Sequence, residues 1–263
     1  MPEFPGSPET VALQQRIKER SEIISASPHL VNGGRLVHYL DPERIGWERL
    51  LPWIEQDGLA GFPLVTEDVT RAMIHTHLGG HWETPAWLAL RGHAEAVLAA
   101  SARVIAEVPL PEGWQILAET CPPPDRLEAA QLLNEATGVS PYPAYYMRSE
   151  HVPVLTLSAL DPQGGMVATA SVANRYPVQS RLGGHVFAGM VSVSDAARGR
   201  GFGKLINAHA MIASHREWAW EWATEQVAAD NLPSLAMIRA CGLTHDEGLV
   251  SMAAINSTNR FTR

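Results

Sequence analysis

The sequence predicts an α+β protein, and three observations lead to that class. From Trp114 to Ile255, apolar runs of strand length alternate with helical patterns. Before Pro109-Leu110-Pro111-Glu112-Gly113 the patterns are helical only. Between the two textures of the second half lies a basic, glycine-rich loop, Arg198-Gly199-Arg200-Gly201-Phe202-Gly203-Lys204, set between an apolar strand and a helix. The expected organisation is a mainly α-helical N-terminal domain over 1–110 and a strand-and-helix domain over 111–263.

In the first segment, residues 11–26 carry apolar side chains at Val11, Leu13, Ile17, Ile23 and Ile24, and Pro28 stops the pattern. A second helix is expected over 42–54, kinked at Pro52. A third runs from Thr66 as N-cap to His77, with Glu67 and Asp68 favouring the positive end of the helix. The fourth spans 84–108, with Pro85 in the first turn and an alanine-rich body. Trp47, Trp53, Trp82 and Trp87 exceed what four short helices can cover, so this segment is expected to pack on the rest of the chain.

In the second segment, strands are expected at 114–119, 154–159, 166–173, 186–193, 218–228 and 249–255. Helices fall at 125–137, from the glycine-rich loop to about Ser214, and at 233–241. Asp161-Pro162-Gln163-Gly164-Gly165 reads as the turn between the second and third strands. Trp218, Trp220 and Trp222 alternate along one expected strand. They suit either burial under the helices or an aromatic pocket for an amine.

The loop carries the chemistry. Glycines at alternate positions let the backbone turn its N–H groups inward, and the helix N-terminus adds the positive end of its dipole. Arg198, Arg200 and Lys204 add fixed charge, so the segment suits phosphate oxygens. It is not a P-loop, because no Gly-Lys-Ser/Thr closes it, and it lacks the order and the acidic strand end of a dinucleotide fingerprint.

The loop resembles the acyl-CoA loop of the GNAT superfamily of N-acyltransferases: a strand ending in Val, a short polar spacer, then Arg/Gln-x-x-Gly-x-Gly/Ala. Val193, Ser194-Asp195-Ala196-Ala197 and Arg198, Gly201 and Gly203 hold those positions. A second element of the family, a strand followed by Asn-x-x-Ala/Ser opening a helix that closes on Gly-Leu, is present as Asn231, Ser234 and Gly242-Leu243. The resemblance covers 112–256 and extends no expectation to residues 1–110. It implies a GNAT-type mixed sheet whose fourth and fifth strands splay apart, flanked by helices. It implies acetyl-CoA as co-substrate and transfer to an amine by direct attack in a ternary complex. Backbone groups of Val191 and Val193 would pair with the pantetheine arm. The N–H groups of Gly199, Arg200, Gly201, Phe202, Gly203 and Lys204 would hold the pyrophosphate. Arg198 would orient the loop or touch phosphate, Asn231 would reach the CoA, and Ser234 would assist at the helix start. Asn231 and Ser234 also suit plain helix capping.

The catalytic positions depart from the family pattern. The tyrosine that would protonate the thiolate is replaced by Ile238, and the two inward positions of the fourth strand are Phe187 and Gly189. His185, at the start of that strand, and Glu225, on the fifth strand, are the candidate bases, with a water relay as the alternative; Glu225 also reads as a solvated residue on the strand face. Cys241 lies one turn beyond Ile238 and reads as either a core residue or a neighbour of the sulfur. Tyr142, Tyr145 and Tyr146 are candidates for the acceptor wall. A catalytically weak, CoA-binding regulatory or interaction protein is the second reading. A longer acyl chain or a protein acceptor are variants of the first.

Composition narrows the remaining classes. The 263 residues are 46% hydrophobic and 18% charged, as in a globular protein. A net charge of −8 argues against nucleic acid as the partner and suits a small amine-bearing acceptor. The two cysteines form no ligand cluster, and His75 and His77, two apart on an expected helix, face different ways, so no metal is expected. The start of the chain lacks a basic and apolar leader pattern, and no apolar run approaches the roughly 20 residues of a bilayer span. A cytoplasmic location with no membrane partner is the expectation.

Overall fold

The computed structural model describes residues 3–256. In chain order its elements are α1 (Pro8–Glu19), α2 (Ser21–Ser25), β1 (Leu30–Asn32), β2 (Val37–Tyr39), α3 (Pro42–Ile45), α4 (Trp47–Asp57), β3 (Leu59–Val65), α5 (Glu67–Leu78), β4 (Trp82–Glu83), β5 (Ala86–His93) and α6 (Ala94–Glu107). They continue as β6 (Gln115–Glu119), α7 (Pro124–Ala136), α8 (Ala144–Met147), β7 (Val154–Leu160), β8 (Met166–Ala173), β9 (His185–Val193), α9 (Phe202–Trp218), β10 (Trp222–Val227), α10 (Leu232–Ala240) and β11 (Thr244–Asn256). All eleven strands belong to one sheet, in the order β1-β2-β3-β11-β5-β10-β9-β8-β7-β6, with β4 paired to β11.

The expected helical N-terminal domain is therefore a correction. Residues 30–93 contribute five strands to the same sheet as the second half. The expected helix over 84–108 is β5 followed by α6, because Ala86–His93 lies between β10 and β11 and pairs with both. Pairing on both edges outweighs alanine's helical preference. The expected 11–26 helix breaks at Arg20 into α1 and α2, and Gly46, at φ 91°, separates α3 from α4. Pro52 is accommodated inside α4. β6, α7, β7, β8, β9, α9, α10 and β11 stand where the second half predicts strands and helices, to within a few residues except at the start of β11.

The strand order contains a repeat. Outward from the central β11–β5 pair, each side meets an antiparallel strand (β3 or β10), then a parallel one (β2 or β9), then an antiparallel one (β1 or β8). The connections match as well: β2 passes through α3 and α4 to β3 and α5, and β9 passes through α9 to β10 and α10. Each half then lends its closing strand to the other, β5 to β10 and β11 to β3. One core accordingly gathers Ile17, Ile54, Phe62 and Ile74 with Met252, Ala254 and Ile255 from the far end of the chain. The other packs α6, α9 and α10 on β7 to β10, through Val97, Leu157, Val186, Ile206 and Ile238. Trp47 and Trp82 are buried in the first core, and Trp53 and Trp87 pack against it. Among the described residues no helix is long and apolar enough to cross a membrane.

Candidate active site

The glycine-rich loop forms at the end of β9. After the 3₁₀ turn Asp195–Ala197, Gly199 and Gly201 take φ of 75° and 83°, left-handed values that a side chain would strain. The first backbone N–H to bond into α9 is that of Leu205, to Gly201 O at 3.0 Å. Among the described residues, the six N–H groups from Gly199 to Lys204 have no backbone partner. Arg198, Gly199, Arg200 and Lys204 are exposed around them. Arg200 lies 5.5 Å over the rings of Trp114 and Phe202, while Arg198 pairs with Asp195 at 2.8 Å in the open. Unpaired donors at the positive end of a seventeen-residue helix make an anion cradle.

β9 and β10 run parallel only over Trp222–His185, Ala223–Val186 and Thr224–Phe187, and then separate. Val191 and Val193 lie on the freed length of β9, so their edge toward β10 has no strand partner. Against β8, the register shifts between Thr169 and Ser171, and Met190 takes φ 57°. This is a β-bulge, which re-aims backbone groups at the point where the strands part. Asn134 fixes it from α7, donating to Met190 O at 3.2 Å and Ser192 Oγ at 2.8 Å.

The two sheet faces beside the gap differ. On the helix face, Glu225 is the first β10 residue past the last β9 pair; it is buried and accepts from Asn207 Nδ2 of α9 at 2.8 Å. Burial, opposed by that bond, pushes its carboxyl up to about 7. The expectation of a solvated glutamate is thus corrected. Cys241 is buried next to it: burial first, and then the Glu225 charge, push the thiol up to about 12. Ile238 belongs to the same core.

On the opposite face, Phe187 of β9 meets a polar cluster that no local pattern in the sequence announced. Arg175 lies 3.8 Å over the Phe187 ring and donates to Tyr176 Oη at 3.1 Å. Arg35 lies 5.3 Å over Tyr142, which packs with Tyr145, Tyr146 and the bulge residue Met190. His38 of β2 is wedged between Gly33 and Gly61, where an added Cβ would come within 2.6 and 2.4 Å of its ring. A cavity of about 30 Å³ opens beside it, lined by Arg35, His38, Trp87, Gln226 and Ser251 among others. Gly33-Gly34 and Gly61 were the available signal, since they clear space for the His38 and Tyr146 rings.

The remaining expected residues are placed plainly. Asn231 caps α10, its Oδ1 accepting from Ser234 N at 3.1 Å. His185 stacks on Trp222 where β9 and β10 are still paired, four residues from Gly189 and hence roughly 13 Å along the strand. It does not join the cluster. Trp218 ends α9 and Trp220 is in a loop, donating to Ser214 Oγ, so the three tryptophans do not share one strand. His77 stacks on Trp47, and among the described residues no group of three His, Cys, Asp or Glu side chains is placed to hold a metal.

Compared as a sequence, the chain matches no protein-family model and no curated protein. Solved structures match its fold. A GCN5-related N-acetyltransferase from Kribbella flavida is 14% identical with a TM-score of 0.57, covering 95% of this chain and 98% of its own. A GCN5-related N-acetyltransferase-like protein from Streptococcus suis is 14% identical with a TM-score of 0.54, covering 94% of this chain and 99% of its own. A tandem GNAT protein from the clavulanic acid biosynthesis pathway is 17% identical with a TM-score of 0.52, covering 81% of this chain and 68% of its own. The fold is therefore that of the GNAT proteins. It extends over nearly the whole chain and includes the N-terminal half, to which the sequence resemblance did not reach.

Proposed function

We propose that the protein is an acetyl-CoA-dependent N-acetyltransferase acting on a primary amine. The observation that carries this reading is the run of six unpaired N–H groups, Gly199 to Lys204, at the mouth of a gap between two parallel strands. Those donors suit the pyrophosphate of CoA, and the free edge of Val191 and Val193 suits the pantetheine amides. The bulge at Met190 then faces the thioester, where a backbone N–H can polarise the carbonyl.

The amine nitrogen attacks the thioester carbon, the oxyanion collapses, and the C–S bond breaks. The new amide nitrogen sheds a proton, and the CoA thiolate gains one. Since Ile238 offers no phenol, the acid on the helix side is assigned to Glu225, whose carboxyl still carries its proton at mildly acidic to neutral pH. On the opposite face the amine's proton leaves through water, since burial and the charges of Arg175 and Arg35 hold the His38 imidazole well below its ordinary value.

A second reading, a CoA-binding protein with little turnover, draws on Ile238, Phe187 and Gly189. Calorimetric titration with CoA and thiol release from acetyl-CoA over a panel of amines separate the two. Binding with amine-dependent release is expected. Binding without release selects the second reading, and no binding removes both.

A further inference from the structure

The arginines on the acceptor face differ from three other described arginines that bond across the fold. Arg16 and Arg20 both pair with Asp57, at 2.9 and 2.8 Å, and Arg181 donates to three backbone carbonyls. Arg175 is only 7% exposed, yet its one protein hydrogen bond is to a tyrosine hydroxyl, and its Nε has no partner. Arg35 donates to Ser140 O at 2.9 Å, and its buried Nε is likewise unpartnered. His38, 5% exposed, has neither ring nitrogen satisfied. Tyr142, Tyr146 and Tyr176 face these groups, and among the described residues no carboxylate does. Burial, and behind it the charges of Arg175 and Arg35, hold the imidazole well below its ordinary value, so it adds no third charge.

Two guanidinium groups that repel each other, Arg175 buried and Arg35 half-buried with a buried Nε, call for an anion, because an uncompensated buried charge is strongly destabilising. Nothing in the described chain supplies one. A carboxylate suits the fork geometry of guanidinium donors. The cluster also sits at the right place. Phe187, the last paired residue before the gap, carries Arg175, and Tyr142, beneath Arg35, packs with the bulge residue Met190.

We propose that the acceptor is an amino acid or a similar amino carboxylate, its carboxylate held by Arg175 and Arg35 while its amine faces the bulge of β9. This rests on the acetyltransferase reading given above. It makes Arg175 a specificity-determining residue, and it predicts that the site rejects the same amine when the carboxylate is masked.

The test uses the full chain, the proteinogenic L-amino acids, their carboxamides and phosphoethanolamine. Thermal unfolding reads binding, thiol release reads turnover, and calorimetry with CoA reads the donor site separately. At least one amino acid should raise Tm and be acetylated with a kcat/KM at least about 100-fold above that of its carboxamide. Arg175→Met should erase that preference mainly through KM, leave CoA affinity unchanged, and unfold in the absence of ligand no lower than the wild type. Arg35→Gln should weaken the same preference and keeps the test available if the first variant is unsound. Equal use of acids and amides overturns the proposal. So does a preference for phosphoethanolamine, or no response to any amino acid in either assay. An Arg175→Met protein that loses stability but keeps the preference assigns the residue a structural role instead. Loss of CoA binding in the wild type would defeat the acetyltransferase reading. The amino-acid shift in Tm would then still report on Arg175.

Discussion

Asn207 donates to Glu225 Oε1 at 2.8 Å, joining the second turn of α9 to the first β10 residue beyond the last β9 pair. The carboxyl is raised from 4.5 to about 7 by burial, so between those values the folded state holds a proton that the unfolded chain releases. Stability from this group is therefore present at low pH and is lost as pH rises toward and through about 7. Relative to Glu225→Gln, the wild type should lose stability over that range, by up to about 3 kcal/mol. Denaturant unfolding of both proteins from pH 4.5 to 8 measures the difference, and parallel curves would contradict the assignment.

The same substitution tests the role in turnover. If Glu225 protonates the departing thiolate, Glu225→Gln should lower kcat by about 100-fold with CoA affinity unchanged. Single-turnover thiol release would show the loss. An unchanged rate returns the proton to water.

The loop is best probed at Gly203. A Cβ there meets Met237 Sδ at 3.5 Å and Val193 Cγ2 at 3.7 Å, which is ordinary contact, whereas at Gly201 it would meet Val108 Cγ1 at 2.9 Å with φ at 83°. Gly203→Asp should therefore stay folded and lose CoA affinity by at least about 100-fold, because it adds a carboxylate to the loop proposed to hold the pyrophosphate. Gly201→Asp should lose stability as well. Calorimetry with circular dichroism distinguishes the two.

Removing residues 1–110 should abolish folding. The cut deletes β5, which lies between β10 and β11, and α6, which packs on α9. It also exposes Met252, Ala254 and Ile255. A truncated chain with native near-ultraviolet circular dichroism would show that the second half folds alone.

Arg181 supplies a contrast to Arg175. It donates to Leu40 O, Pro63 O and Leu64 O, closing the ends of β2 and β3. Those two strands share a single register pair, His38–Gly61, so they diverge as β9 and β10 do, but a guanidinium bridges their ends. Arg181→Met leaves those carbonyls without donors and should cost about 2–4 kcal/mol. Chemical denaturation would reveal it.

The sequence by itself determined whatever is local in the chain. The β9–loop–α9 segment could be read because glycine conformational freedom and a helix N-terminus act over a few residues. The Asn231 cap of α10 could be read for the same reason, and so could the alternating strands of the second half. What only the tertiary structure decided depends on residues distant in the chain. Ala86–His93 has helical composition, and it is a strand because β10 and β11 occupy both its edges. The division into a helical and a mixed domain failed on that exchange of strands. Glu225 reads from sequence as an exposed strand residue, and it became a buried acid only when α9 covered it. Arg35, His38 and Arg175 have no spacing or motif in common; the sheet brings them to one face, and buried nitrogens without a partner give them their chemistry.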